Sequence, residues 1–227
     1  MKVRVWDLPL RAFHWLLAAS VATAFVSAKI GGNAMVWHGR AGLAVVGLIA
    51  FRIVWGFVGS TYARFVTFLH GPTKIRAYLK GEWQALGHNP IGALSVLALL
   101  TLLAAEAVTG LFANDDISYQ GYLYALVGAD LSGQFTGVHK LFEPALIVLV
   151  TLHLGAIAFY MRVKKRNLVK PMITGWQEAA EPVAPPRGGG LVAFVVAAAI
   201  GGVTAYAASG ELLPPPPPEA AIETPAF

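Results

Sequence analysis

The 227-residue sequence contains no cysteine. Disulfides, thiolate-held iron–sulfur clusters and the Cys-x-x-Cys-His attachment of c-type haem are therefore excluded. Charge is also scarce: Asp, Glu, Lys and Arg make up 13% of the residues against 56% hydrophobic, and the mean hydropathy is +0.61. That balance belongs to membrane proteins, with lipid as the first partner. No glycine-rich loop follows a predicted strand, because the glycines are scattered inside apolar segments, and nucleotide chemistry is not expected. The net charge of +5 sits at the ends of long apolar runs rather than on a solvated basic surface. Nucleic acid is not an expected partner.

An apolar segment of about 20 residues crosses the hydrocarbon core as a helix. Such windows run over residues 9 to 29, 38 to 59, 90 to 112, 139 to 161 and 190 to 209. Asp7 precedes the first, which carries Pro9 in its first turn, and Asn89-Pro90 opens the third in the same way, both signals of a helix start. Val26-Ser27-Ala28 behind a basic start also resembles a signal-peptide cleavage site, but His14 in the same stretch has the use given below, so a retained span is expected. Lys2, Arg4 and Arg11, then Arg64, Lys74, Arg76 and Lys80, then Arg162, Lys164, Lys165, Arg166, Lys170 and Arg187 all fall on one side of such a topology. The loop from 113 to 138 has neither Lys nor Arg but holds Asp115, Asp116 and Asp130. Retention of positive charge in the cytoplasm puts the N-terminus inside and the C-terminus in the periplasm of a bacterial inner membrane.

Ionisable side chains are expensive within a membrane and mark function there. His14 lies in the first span, His38 opens the second, and His139 and His153 lie in the fourth. Fourteen residues are close to four helical turns, so His139 and His153 share a face about 21 Å apart along the axis. With alternating span directions, His14 and His153 fall in the cytoplasmic half, and His38 and His139 in the periplasmic half. Each depth-matched pair can supply both axial ligands of one haem iron, which predicts two haem b groups. Arg40 and Lys140 suit the propionates of the outer haem, and Arg11 and Arg52 those of the inner; for Arg11 and Lys140, snorkelling to lipid headgroups is an equal alternative. Glu106 and Glu143 lie in the outer half and are candidate proton acceptors for a quinol, or hydrogen-bonding partners of a neighbouring helix or a propionate. His70 and His88 stand beside Gly71-Pro72 and Asn89-Pro90 and read as structural or surface residues. Gly201-Gly202 in the fifth span predicts close helix packing, with docking of a partner subunit or a second copy as its expected use and no part in the haem site.

Several motifs occur in one order: Val5-Trp6-Asp7-Leu8-Pro9 with Arg11 and His14-Trp15, His38 with Gly42, the run Arg52 to Gly56, and Ala63-Arg64-Phe65. Gly87-His88-Asn89-Pro90, Thr109-Gly110 and the two histidines of the fourth span follow. Over residues 3 to 166 the sequence resembles the bacterial cytochrome b-561 family, which includes the cytochrome b subunit of nickel-iron hydrogenases. The resemblance implies an all-α integral membrane four-helix bundle binding two haems, with ligand positions that coincide with His14, His38, His139 and His153. A fifth transmembrane helix lies outside that pattern. The expected division is a dihaem core over 1–170, a cytoplasmic linker over 171–189, an accessory helix over 190–209 and a periplasmic proline-rich tail over 210–227. The expected function is electron transfer between the quinone pool and a redox partner such as a periplasmic cytochrome c. The alternatives are the haem-b anchor of a larger dehydrogenase such as a nickel-iron hydrogenase, and a non-haem scaffold or transporter. Homodimerisation is a further expectation from the small-residue fifth span.

Overall fold

A computed structural model describes residues 1–82, 86–117, 119–179, 184 and 186–214. Among the described residues, five helices are long and apolar enough to cross a membrane: α1 (Leu8–Ile30), α2 (Met35–Val58), α5 (Pro90–Phe112), α6 (Gly128–Arg162) and α8 (Leu191–Ala208). Between them lie the short helices α3 (Phe65–Phe68), α4 (Pro72–Leu79) and α7 (Val169–Thr174). Large apolar side chains such as Phe25, Phe57, Leu152 and Val195 are exposed on the protein surface, as expected where the solvent of those faces is lipid. The tail beyond Pro214 lies outside the described residues.

The ends of the first spans form for local reasons. Asp7 caps α1 by accepting from Leu10 N at 2.7 Å, and Pro9 occupies a position whose amide has no intrahelical partner. The same carboxylate accepts from Trp55 Nε1 at 3.1 Å and from Ser60 Oγ, which ties the start of α1 to the end of α2. Asn89 caps α5 through Gly92 N at 2.7 Å.

The helix α6 starts eleven residues before the apolar window predicts. Its polar first turns are held by side-chain bonds to the end of α5: Ser132 Oγ donates to Phe112 O at 2.7 Å, and Thr136 Oγ1 bonds both N and O of Asn114. Hydropathy marks where lipid begins, whereas these bonds mark where the helix begins.

The sequence pattern predicts no strand, yet β1 (Lys2–Arg4) pairs antiparallel with β2 (Trp176–Glu178), Val3 opposite Gln177. Three residues carry too little alternation to be read as a strand, and the pairing is fixed by distant partners. Met1 N donates to Ala179 O, and Val5 N and Trp6 N both donate to Gly175 O. The stretch expected as a plain linker therefore folds back, through residue 179, onto the basic end of the bundle. Val3, Val5, Trp6 and Ala179 are buried there with Phe13, Phe51 and Trp55.

The fifth helix packs along α2. A Cβ on Gly47 would lie 3.0 Å from Gly201 O, and one on Gly201 would lie 2.7 Å from Gly47 O, so the two backbones approach closely where both lack side chains. Ala197 is fully buried, and Phe194 meets Phe51 and Trp55 edge-on. Gly201 is thus used within the chain, while Gly202 borders open space.

Candidate functional site

The helices form two packed sets, α1–α2–α8 and α5–α6, joined mainly where α2 crosses α5. The 35-residue α6 buries only Ser132 along its length, and its packing onto α1 and α2 is sparse. Across this gap face two pairs of imidazoles. His14 on α1 and His153 on α6 have ring centroids 6.5 Å apart at 47°. His38 on α2 and His139 on α6 are 6.0 Å apart at 89°. These are the two pairs expected from depth.

Each imidazole pair fits a metal that brings its other ligands with it. Opposed metal–nitrogen bonds of about 2 Å to two imidazoles hold the ring centroids roughly 6 Å apart. A bare zinc ion would need about four donors, and no cluster of three or more His, Cys, Asp or Glu side chains occurs among the described residues. Two axial histidines are what a haem iron lacks once its macrocycle has supplied the rest. At the His38–His139 pair the remaining ring nitrogens are committed: His38 Nδ1 lies 2.9 Å from Ala24 O, and His139 Nδ1 lies 2.9 Å from Glu106 O. A carbonyl only accepts, so each Nδ1 carries the proton and each Nε2 keeps its lone pair. His14 Nδ1 is buried with no hydrogen-bond partner.

Glycines make the room. A Cβ on Gly110 would sit 2.9 Å from His139 Cε1, so the Thr109-Gly110 step of α5 is the wall against which that ring lies. Gly42, one turn along α2 from His38, borders open space. Gly39 admits Tyr119, whose ring stands edge-on to His38 at 6.2 Å. Gly42 and Gly110 were visible as motif members in the sequence and Gly39 was not; the contacts of Gly39 and Gly110 were hidden because the partners lie on another helix or in the 113–127 loop.

The expected propionate partners divide. Arg52 is 1% exposed, with its guanidinium 4.7 Å from the Phe65 ring and 5.9 Å from Phe68, and its Nη1 has no hydrogen-bond partner. Arg11 is half-buried; its Nη1 donates to Ile173 O, while its Nε is unpartnered. Arg40 is exposed over the Trp37 ring at 5.2 Å, and Lys140 is exposed. Glu143 pairs with Lys29 at 2.5 Å, and Glu106 Oε2 is buried 3.6 Å from His139 Nδ1 with no hydrogen bond.

His88 departs from the surface reading. Its ring lies between Trp6 at 4.6 Å and Phe68 at 4.7 Å, and its Nδ1 is buried without a partner. Burial first, then the charges of Arg52, His153 and His14, pushes this imidazole down to about 3. His70 is partly exposed ahead of α4 and is drawn down by burial and by Lys74.

Residues 5–175 match the family described as prokaryotic cytochrome b561. A probable Ni/Fe-hydrogenase B-type cytochrome subunit of Azotobacter chroococcum mcd 1 is 27% identical, covering 77% of this chain and 88% of its own. Proteins of the same description from Azotobacter vinelandii, 27% identical over 77% of this chain and 88% of theirs, and Rhizobium leguminosarum bv. viciae, 23% identical over 76% and 87%, are also similar. No solved structure matches the chain. The family match takes in all four histidine-bearing positions and ends beyond α6, leaving β1, β2, α8 and the tail outside it: the chain belongs to the prokaryotic cytochrome b561 family and is a membrane protein of haem-b electron transfer.

Proposed function

We propose that the chain holds two b haems in series across the bilayer, the inner ligated by His14 and His153 and the outer by His38 and His139. The observation that carries this reading is the pair of two-imidazole sites, 6.5 and 6.0 Å between centroids, facing each other across the gap beside α6. Two histidines would hold each haem b, and the group would supply one-electron transfer with no ligand position left for oxygen.

The protein's own part is alignment and charge. One helix carries a ligand for each site, so α6 fixes their separation, about 21 Å along the axis. The carbonyls of Ala24 and Glu106 hold His38 and His139 in the ligating tautomer. Arg52, with Arg11 nearer the surface, offers positive charge to the inner propionates; Arg40 and Lys140 offer it to the outer ones. Glu106 and Glu143, beside the outer pair, are the proposed proton acceptors of a quinol, and Lys29 pairs with Glu143. We place the N-terminus in the cytoplasm, the dihaem core within 1–170, the 171–189 segment on the cytoplasmic side, and the tail after 210 in the periplasm. The Gly202 face of α8, not used by α2, is the proposed meeting face for a partner subunit or a second copy.

The electrons pass between the quinone pool and a redox protein. A periplasmic cytochrome c fits the acidic 113–138 loop, and a hydrogenase-type dehydrogenase fits the description of the relatives as Ni/Fe-hydrogenase cytochrome subunits. Purification in mild detergent tests the reading: two haems per chain in a pyridine haemochrome assay with b-type reduced-minus-oxidised bands are expected, and one haem or none would overturn it. Copurification of a dehydrogenase subunit selects the second partner, and reduction by an added cytochrome c without one selects the first.

A further inference from the structure

We infer that His88 and Arg52 together form a carboxylate pocket that holds a propionate of the inner haem; the inference rests on the assignment of His14 and His153 as that haem's ligands. Among the described residues, Arg52 is the only charged side chain in the fully buried class. A guanidinium removed from water is stable only when an anion and hydrogen-bond acceptors meet it. Asp7 is the acid that acts on Arg52, yet its oxygens already accept from Leu10 N, Trp55 Nε1 and Ser60 Oγ. No ion pair to Arg52 occurs among the described residues, and its Nη1 points at no acceptor.

The second unpartnered nitrogen is beside it, a donor in the tautomer that carries the proton on Nδ1. Phe68 contacts both groups, with its ring 5.9 Å from the Arg52 guanidinium and 4.7 Å from the His88 ring. His88 Nδ1 is shielded from water as Arg52 Nη1 is, so solvent satisfies neither. The groups acting on His88 are Arg52, His153 and His14, and no carboxylate is among them. Two buried donors, one of them a cation, adjoining the inner histidine pair, call for an anionic acceptor that arrives with the ligand between those histidines. A haem propionate has that chemistry, and bonds from charged donors to carboxylates are the strong ones. His88 acts here as a positioning residue through its ring N–H, while Trp6 and Phe68 hold the ring in place.

The test uses the full chain carrying both haems, made with carbon-13 in the haem carboxyls. His88→Phe keeps an aromatic ring between Trp6 and Phe68 but removes the donor, whereas His88→Gln keeps a donor. In His88→Phe, transfer of the inner haem to a globin scavenger should quicken roughly tenfold, the loss of one charge-assisted hydrogen bond. The labelled carboxylate bands in the redox infrared difference spectrum should shift, the outer haem should be unaffected, and His88→Gln should return both readouts toward the starting protein. Unchanged bands and transfer rate in His88→Phe would overturn the pocket. If His14→Ala and His153→Ala leave the haem count at two, the ligand assignment itself fails, a different outcome. Should His88→Phe lose both haems, the unmutated chain decides: nitrogen-15 in the histidine rings should show dipolar coupling to a labelled carboxyl at hydrogen-bond distance, and its absence refutes the inference.

Discussion

The imidazole of His139 is held on three sides by one stretch of α5: Glu106 O takes its Nδ1–H, Thr109 Oγ1 lies 3.3 Å away, and Gly110 leaves the space the ring fills. Adding a single methyl there is the sharpest small perturbation of the outer site. We expect Gly110→Ala to displace the ring, cost about 1–3 kcal/mol as overpacking does, and deplete or shift the outer haem's absorption band, while Gly202→Ala, facing open space, is silent. An unshifted outer band in Gly110→Ala would detach Gly110 from the site. At the inner site, removing the buried cation in Arg52→Leu should lower the haem's midpoint potential by tens of millivolts, roughly the Coulomb scale at an effective dielectric near 20, because the added electron loses a favourable charge. Arg166→Leu, at an exposed position, should leave it alone, and equal shifts in a spectroelectrochemical titration would reduce Arg52 to a topology residue. The four histidines were legible because ionisable groups stand out in apolar spans. His88 was not, since a histidine beside Asn-Pro looks like loop punctuation until Trp6 and Phe68, twenty and more residues away in the chain, are seen to enclose it.

The five spans were legible to within a few residues except at the start of α6, where polar side chains extend the helix past its apolar stretch. The β1–β2 pairing was invisible because its partners lie 176 residues apart (Lys2 with Glu178) and neither segment alternates for long enough. The fifth helix is where element-scale packing alters the sequence expectation most. Its small-residue face meets α2, the helix that carries His38 and Arg52, and Ala197 shares a core with Phe51 and Trp55. Truncation after Lys170 would remove β2 together with α8 and uncover Trp55 beside Arg52. We expect Gly201→Leu to lower thermal stability in detergent by about 2–3 kcal/mol through the lost close approach and Gly202→Leu to cost little. Equal stabilities would mean that α8 is not packed on α2 in the membrane.

At the scale of the molecule, positive residues gather at the end where β1, β2 and α7 lie, and the opposite end carries Asp115, Asp116 and Asp130. Because the chain has no cysteine, single cysteines report its orientation cleanly. In intact cells an impermeant thiol reagent should label Asp116→Cys, and it should label Lys165→Cys only after permeabilisation; the reverse would invert the topology and exchange the inner and outer haems. An electron path across the bilayer depends most on each histidine pair holding one haem. The measurement that tests this most directly is the haem count per chain in His153→Ala and His38→Ala, with a redox titration to identify the haem that remains. One haem in each variant is predicted, the outer surviving in His153→Ala and the inner in His38→Ala. Two haems retained in either variant, or the same haem surviving in both, would contradict it.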